Sequence, residues 1–330
     1  MIKKTIILIA FVLTALSSVA QDCSQEDLAQ KPGTWKAGQQ GSIHNVTAAD
    51  LAKEKAVLSG IHKMVSSNYS PTGCQISYST VFGKVPMEGQ IFKADPYYYS
   101  MYILRYLCDQ NSADKSKYYV DISTPTTVDI VANQIDCLNT LYAANLADDD
   151  FRGYLKLKQR PQKKDGVWFM GDEVVGDSGT AYEIKESTWL ITFSDTLPFI
   201  YVTRKEYLLI ERKRLEKSVK DSPGEKEYFQ KFLDNISEYL TKPESELSQP
   251  AICLWNDEER FTGFVDEGTL GSFFAIKPNL SYYKKNLPKS SPQFFTVVYT
   301  LSLGDPVFEA NIAAIKEAVD FAKLKSMLGK

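Results

Sequence analysis

The chain has 330 residues, 44% hydrophobic and 24% charged, which excludes a disulfide miniprotein and a chain disordered throughout. Aromatics at 12%, beside 18 Gly and 14 Pro, exclude collagen-like and low-complexity classes. Two histidines, His44 and His62, stand against five cysteines, so a three-histidine metal site is excluded and imidazole catalysis has two candidates.

Lys3 and Lys4 precede an apolar run from Thr5 to Leu16, and Ser18-Val19-Ala20 follow before Gln21. This pattern predicts a signal peptide over residues 1–20, cleaved after Ala20, and hence a periplasmic or extracellular product. The run is shorter than the roughly 18 to 20 residues of a bilayer-spanning helix, so no transmembrane span is expected. Losing Lys3 and Lys4 takes the 38 basic residues to 36 against 41 acidic ones, a net charge of −5. An acidic exported protein without a concentrated basic surface is not a nucleic-acid binder. Export permits disulfides among Cys23, Cys74, Cys108, Cys137 and Cys253, with one thiol left over and no spacing that selects a pairing.

Residues 21–46 are rich in Gln, Gly and Lys without a hydrophobic period, and read as a flexible arm. Thr47 with Asp50 approximates a capping box, and Leu51, Leu58, Ile61 and Val65 share one helical face through about residue 67. Strands are predicted at Gln75–Phe82, Tyr97–Cys108 and Lys117–Ile122, the last two as a hairpin. Val128, Val131, Ile135, Leu138 and Tyr142 fall at helical spacing, predicting a helix over Thr126–Tyr142. Strands follow at Gly153–Gln159, Val167–Met170, Tyr182–Phe193 and Phe199–Val202. The S/T-x-x-E boxes Thr203/Glu206 and Ser222/Glu225 open helices Arg204–Lys220 and Pro223–Leu240, whose apolar stripes predict an antiparallel pair against the sheet.

After the charged segment Thr241–Gln249, strands are predicted at Ala251–Trp255, Arg260–Val265, Ser272–Ile276 and Gln293–Leu301, then a helix from Asp305-Pro306. The expected fold is α+β, with antiparallel sheet packed against amphipathic helices. Residues 47–241 form its main domain, and 242–330 a β-rich segment that is separate or shares the same core.

Gly176-Asp177-Ser178-Gly179 resembles the nucleophile loop of chymotrypsin-like serine proteases, which makes Ser178 the catalytic candidate. Thr180-Ala181 replaces the Gly-Pro that follows in that family, and a serine needs a base held beside it. His62 lies mid-helix and His44 in the arm. The ordinary use of these residue types is a turn between strands. The acid runs Asp148-Asp149-Asp150 and Asp257-Glu258-Glu259 lack the alternate-position pattern of a calcium loop, so no metal or other cofactor is expected. Asp172, Glu173, Asp177, Glu183 and Glu186 lie near Trp168 and Trp189 in the chain, marking that region as a candidate cleft. Tyr98, Tyr102 and Tyr106 would share one strand face, and with Trp168 and Trp189 they are the candidate binding residues for a glycan or protein partner.

The leader ending Ser-Val-Ala-Gln, Ser123-Thr124-Pro125-Thr126-Thr127 and Leu287 to Phe295 together resemble uncharacterised secreted proteins of Bacteroidota-type bacteria. That resemblance implies export and assigns no site residue. The expected function is an exported, non-catalytic binding or envelope-associated protein, with a secreted hydrolase of the serine or carboxylate type as the alternative.

Overall fold

The computed structural model describes residues 22–43, 46–83, 93–124, 126–135, 140–141, 154–175, 183–255 and 260–330. The order in the first half is α1 (Gln25–Gln30), β1 (Thr34–Ala37), α2 (Ala48–Asn68), β2 (Cys74–Val81), β3 (Tyr97–Cys108), β4 (Tyr118–Val120), β5 (Thr127–Ala132), β6 (Thr140–Leu141), β7 (Leu155–Leu157), β8 (Gln162–Lys164) and β9 (Val167–Val175). There follow β10 (Ile184–Thr192), β11 (Phe199–Tyr201), α3 (Arg204–Asp221), α4 (Lys226–Tyr239), α5 (Glu244–Leu247), β12 (Ile252–Leu254), β13 (Ser272–Pro278), β14 (Phe294–Ser302), α6 (Pro306–Ala318) and α7 (Phe321–Met327).

The strands form two sheets. The larger runs β1-β2-β3-β5-β14-β10-β9-β8, with β4 paired to β3, and the smaller runs β11-β13-β7-β6, with β12 paired to β13. Among the described strand pairs only β1–β2 is parallel. Strand alternation turns this topology into four layers. Ile76, Tyr99, Met101, Val128, Ile130, Phe295 and Val297 face α2, α6 and α7 in one core. Met170, Leu190 and Phe294 on the opposite face meet Leu155, Leu157, Phe274 and Ile276 of the smaller sheet. Phe273 and Ala275, the alternate residues of β13, meet Leu208, Leu215, Phe229 and Ile236 of α3 and α4. Each fully buried Leu, Ile or Phe side chain contributes roughly 1.5–3 kcal/mol of transfer free energy. The α+β architecture with helices packed on antiparallel sheet is therefore as the sequence predicts.

The helix start at Thr47 is confirmed, its side chain accepting the Asp50 amide at 3.1 Å. Thr203 likewise accepts the Glu206 amide at 3.2 Å. The Ser222/Glu225 box does not form: Pro223–Glu225 is a turn of 3-10 helix without a side-chain cap, and α4 begins at Lys226.

Three expectations are overturned. Thr126–Tyr142 is not a helix where it is described. Thr127–Ala132 is a central strand, paired with β3 and β14, with Val128 and Ile130 buried on one face and Val131 on the other. A strand covered on both faces loses the period-two signal, so the helical spacing of Val128, Val131 and Ile135 is coincidental. Arg260–Val265 forms only an isolated bridge between Phe264 and Cys253, because Phe261 and Phe264 dock as rings into the α3–α4 core. Residues 21–46 were expected to be a flexible arm, but α1 and β1 are regular structure. Cys23 is bonded to Cys108, and Trp35 packs edge-on against His62 and Tyr69.

Residues 242–330 supply strands to both sheets, with β14 lying between β5 and β10. Among the described residues no helix is long and apolar enough to cross a membrane.

Candidate functional site

Ser178, Asp177, His44 and both acid runs lie outside the described residues. His62 is held in an aromatic cluster. Its Nδ1 is 2.8 Å from the Tyr99 hydroxyl and its ring stacks on Tyr78 at 4.1 Å, while burial holds the imidazole below its ordinary value. This is a packed histidine on α2, hydrogen-bonded to the buried Tyr99 and stacked on Tyr78. Among the described residues no group of three His, Cys, Asp or Glu is arranged to hold a metal ion. Cys74 and Cys253 are buried free thiols, both pushed up to about 12 by burial, and hence unreactive.

The tyrosines of β3 do not form an exposed row. Tyr102 is 39% exposed, but Tyr106 is 4% exposed, with its ring edge-on to Tyr118 and its hydroxyl near Thr34 Oγ1. Tyr98 is half-buried, and Ser100 and Leu104 between these rings are buried.

Trp168 and Trp189 also part company. Trp168 stands opposite Leu190 and faces the smaller sheet, whereas Trp189 stands opposite Phe169 and faces α7. Glu173 faces the same way as Trp168 and is paired with Lys158. Glu186 shares that face, with Thr300 at 3.5 Å. The suspected carboxylate cleft is thus split across the sheet, leaving Asp172 and Trp189 on one side.

A cavity of about 360 Å³ opens on that side, between β8, β9, β10 and β14 and the C-terminal helices. Its lining is Lys164, Phe169, Asp172, Lys185, Ser187, Trp189, Tyr299, Lys316 and Phe321. Strand register explains the assembly. Tyr299, Ser187 and Asp172 lie in one row across β14, β10 and β9. Between Thr188 and Trp189 the β9–β10 pairing shifts by one residue, so that Phe169 rather than Met170 stands opposite Trp189. This bulge turns Met170 into the inter-sheet core and Phe169 to the cavity. It is made possible by Gly171, at φ +124°, where a Cβ would collide with the Gln159 side chain that donates to the Met170 carbonyl at 3.0 Å.

One wall is aromatic. Phe169 and Trp189 have ring centroids 4.8 Å apart, and Phe321 lies 5.4 Å from Trp189. The polar side is rich in donors. Ser187 Oγ donates to Asp172 Oδ1 at 2.6 Å, and Lys185 Nζ is 2.8 Å from Oδ2. Desolvation opposes the Asp172 charge, but these bonds from Lys185 and Ser187 outweigh it and hold the carboxyl below its ordinary value. Lys164 Nζ sits 3.7 Å above the Phe169 ring and Lys316 Nζ 5.1 Å from the Tyr299 centroid. Partial desolvation draws the Lys316 ammonium down, Asp172 opposing and Lys185 adding to the shift. At the floor, Tyr299 is 2% exposed and its hydroxyl has no hydrogen-bond partner in the protein. Burial raises that phenol further, so it is a neutral donor at any physiological pH. A separate gap beside Lys156 and Trp255 is about 10 Å³, room for no more than a water.

Comparison with family models, characterised proteins and solved structures finds no match to the chain. Of the cavity residues, sequence reasoning named Trp189 and Asp172 and missed the others. The one available signal was Tyr299, a polar-tipped ring on the otherwise apolar alternation Phe295, Val297.

Proposed function

We propose that the protein is an exported, non-catalytic binding protein whose ligand sits in the cavity between the larger sheet and the C-terminal helices. The observation that carries this reading is the Tyr299 hydroxyl. Leaving a buried donor unmade costs on the order of 1–3 kcal/mol, and of the buried polar groups left so among the described residues Tyr299 is the one that lines this cavity. The aromatic wall and the cavity's size, at the small end of ligand sites, support the same reading. The leader pattern and the Cys23–Cys108 disulfide support export.

The test is a ring-containing fragment library titrated against mature protein starting at Gln21, followed by ligand-observed NMR and by tryptophan fluorescence. Hits should be lost in Trp189→Ala and in Phe321→Ala. Hits that bind both variants as well as the parent would refute the placement. Turnover of ester or peptide substrates that is abolished by Ser178→Ala would refute the non-catalytic reading.

A further inference from the structure

We infer that the ligand is a small ring-bearing carboxylate, its ring against Phe169, Trp189 and Phe321 and its anionic group toward Tyr299, Lys316 and Lys164. This rests on the cavity being the ligand seat, and adds the chemical class. The argument is an inventory of donors and acceptors. The lining holds three lysines and one carboxylate. The carboxylate, Asp172, already receives Lys185 on one oxygen and Ser187 on the other, and Ser187 spends its proton there. What is left to offer a ligand is the ammonium groups of Lys164 and Lys316, both exposed at the cavity rim, and beneath them the Tyr299 O–H, which solvent does not reach and which a small shift of the lining must open to a ligand. Among the described residues neither lysine lies within salt-bridge distance of a carboxylate; each rests over an aromatic ring instead.

Such a set of donors fits a group that only accepts, and three lysines against one carboxylate fit one that is negatively charged. A neutral sugar is served less well, because the free groups are mostly donors and its hydroxyls would have to share the remaining lone pairs of Asp172 with Lys185 and Ser187. A long acyl chain fits poorly too, since Asp172, Lys185, Ser187, Lys164 and Lys316 interrupt the apolar lining and leave it no continuous apolar channel. Phe169, Trp189 and Phe321 meet at tilts of 48° and 44°, which presents edges and faces to a flat guest. The row Asp172–Ser187–Tyr299 sits on three adjacent strands of a packed sheet, so the phenol donor is held rigidly.

The test uses matched pairs of probes, phenylacetate with phenylacetamide and indole-3-acetate with its amide, titrated at low and high salt against the mature protein and three variants. In the parent, each acid should bind about tenfold or more tightly than its amide, with the advantage shrinking at high salt. Lys164→Met/Lys316→Met should erase the advantage of the acid and leave the amide within about twofold. Tyr299→Phe removes an unpaired buried hydroxyl without changing packing, so the protein stays folded while both acid and amide weaken.

Equal binding of acid and amide by the parent overturns the inference, as does an acid preference that survives loss of both lysines. If fragments bind and are lost in Trp189→Ala while neither acid binds, the ligand seat stands and the carboxylate class falls. If no acid, amide or fragment is lost in that variant, the seat falls with it.

Discussion

Replacing Glu54 by Gln should stabilise the protein in a strongly pH-dependent way. Glu54 lies on α2 and is 0% exposed; among the described residues no side chain donates to its carboxyl, and the Gly83 amide opposes its burial only weakly. Burial, reinforced by Asp95 and Asp50, pushes its carboxyl from the ordinary 4.5 to about 8. The neutral form is therefore native. Below about pH 4.5 both folded and unfolded chains are protonated here, and ionisation of the residue adds no cost. As pH rises toward 8, the unfolded chain ionises while the folded one does not, and stability falls by about 1.4 kcal/mol per pH unit. Above that point both states are ionised and the loss levels off, at on the order of 3–5 kcal/mol. Glutamine, equally polar but without the proton, removes this slope. The assay is urea denaturation of both proteins from about pH 4 to pH 9. The stability difference should be near zero at the acid end, grow through the neutral range and flatten at the alkaline end. A difference that is constant across the range would refute the reasoning.

Three further predictions concern the fold around the cavity and the chain start. Cys23→Ser/Cys108→Ser opens a bridge between residues 85 apart in sequence, for which chain entropy alone gives roughly 4–5 kcal/mol; the loss should appear in Tm, and hydrogen exchange should rise first in α1 and β1. Gly171→Ala forces a Cβ onto Gln159 at a positive φ and should cost about 1–3 kcal/mol while weakening ligand binding through Phe169, a coupling that an unchanged binding curve would disprove. Asn311→Ala removes a buried amide that accepts from the Tyr69 hydroxyl and the Thr72 amide and donates to the Thr72 and Val307 carbonyls; thermal unfolding should show a loss of about 2–4 kcal/mol.

Elements with local, chemically specific starts were legible. Thr47 and Thr203 announced α2 and α3, and the run Tyr97–Cys108 announced β3 over its full observed length. What failed was decided by partners distant in sequence. β5 reads as a helix until β3 and β14 flank it, and residues 34–37 read as floppy until β2 and the aromatic cluster around Trp35 hold them. The site was harder still. Asp172 and Trp189 lie close together in the sequence, but Tyr299, Lys316 and Phe321 reach them only because β14 lies beside β10 and α6–α7 fold back over that face. The bulge at Gly171 also exchanges which residues of β9 face outward, and strict alternation from Asp172 would have put Met170 in the wall in place of Phe169.

The place of β14 has a consequence for how the fold is reached. β1 to β5 make one run of the larger sheet and β8 to β10 another, and, among the described residues, 294–302 form the only strand joining them. Until that segment is inserted, β5 and β10 each present an unpaired inner edge rich in β-branched and aromatic residues, the kind of edge that recruits other chains. A chain interrupted before β14 would therefore be two adhesive half-sheets rather than a smaller version of the protein. Insertion of β14 closes both edges at once and, in the same event, brings Tyr299 between them.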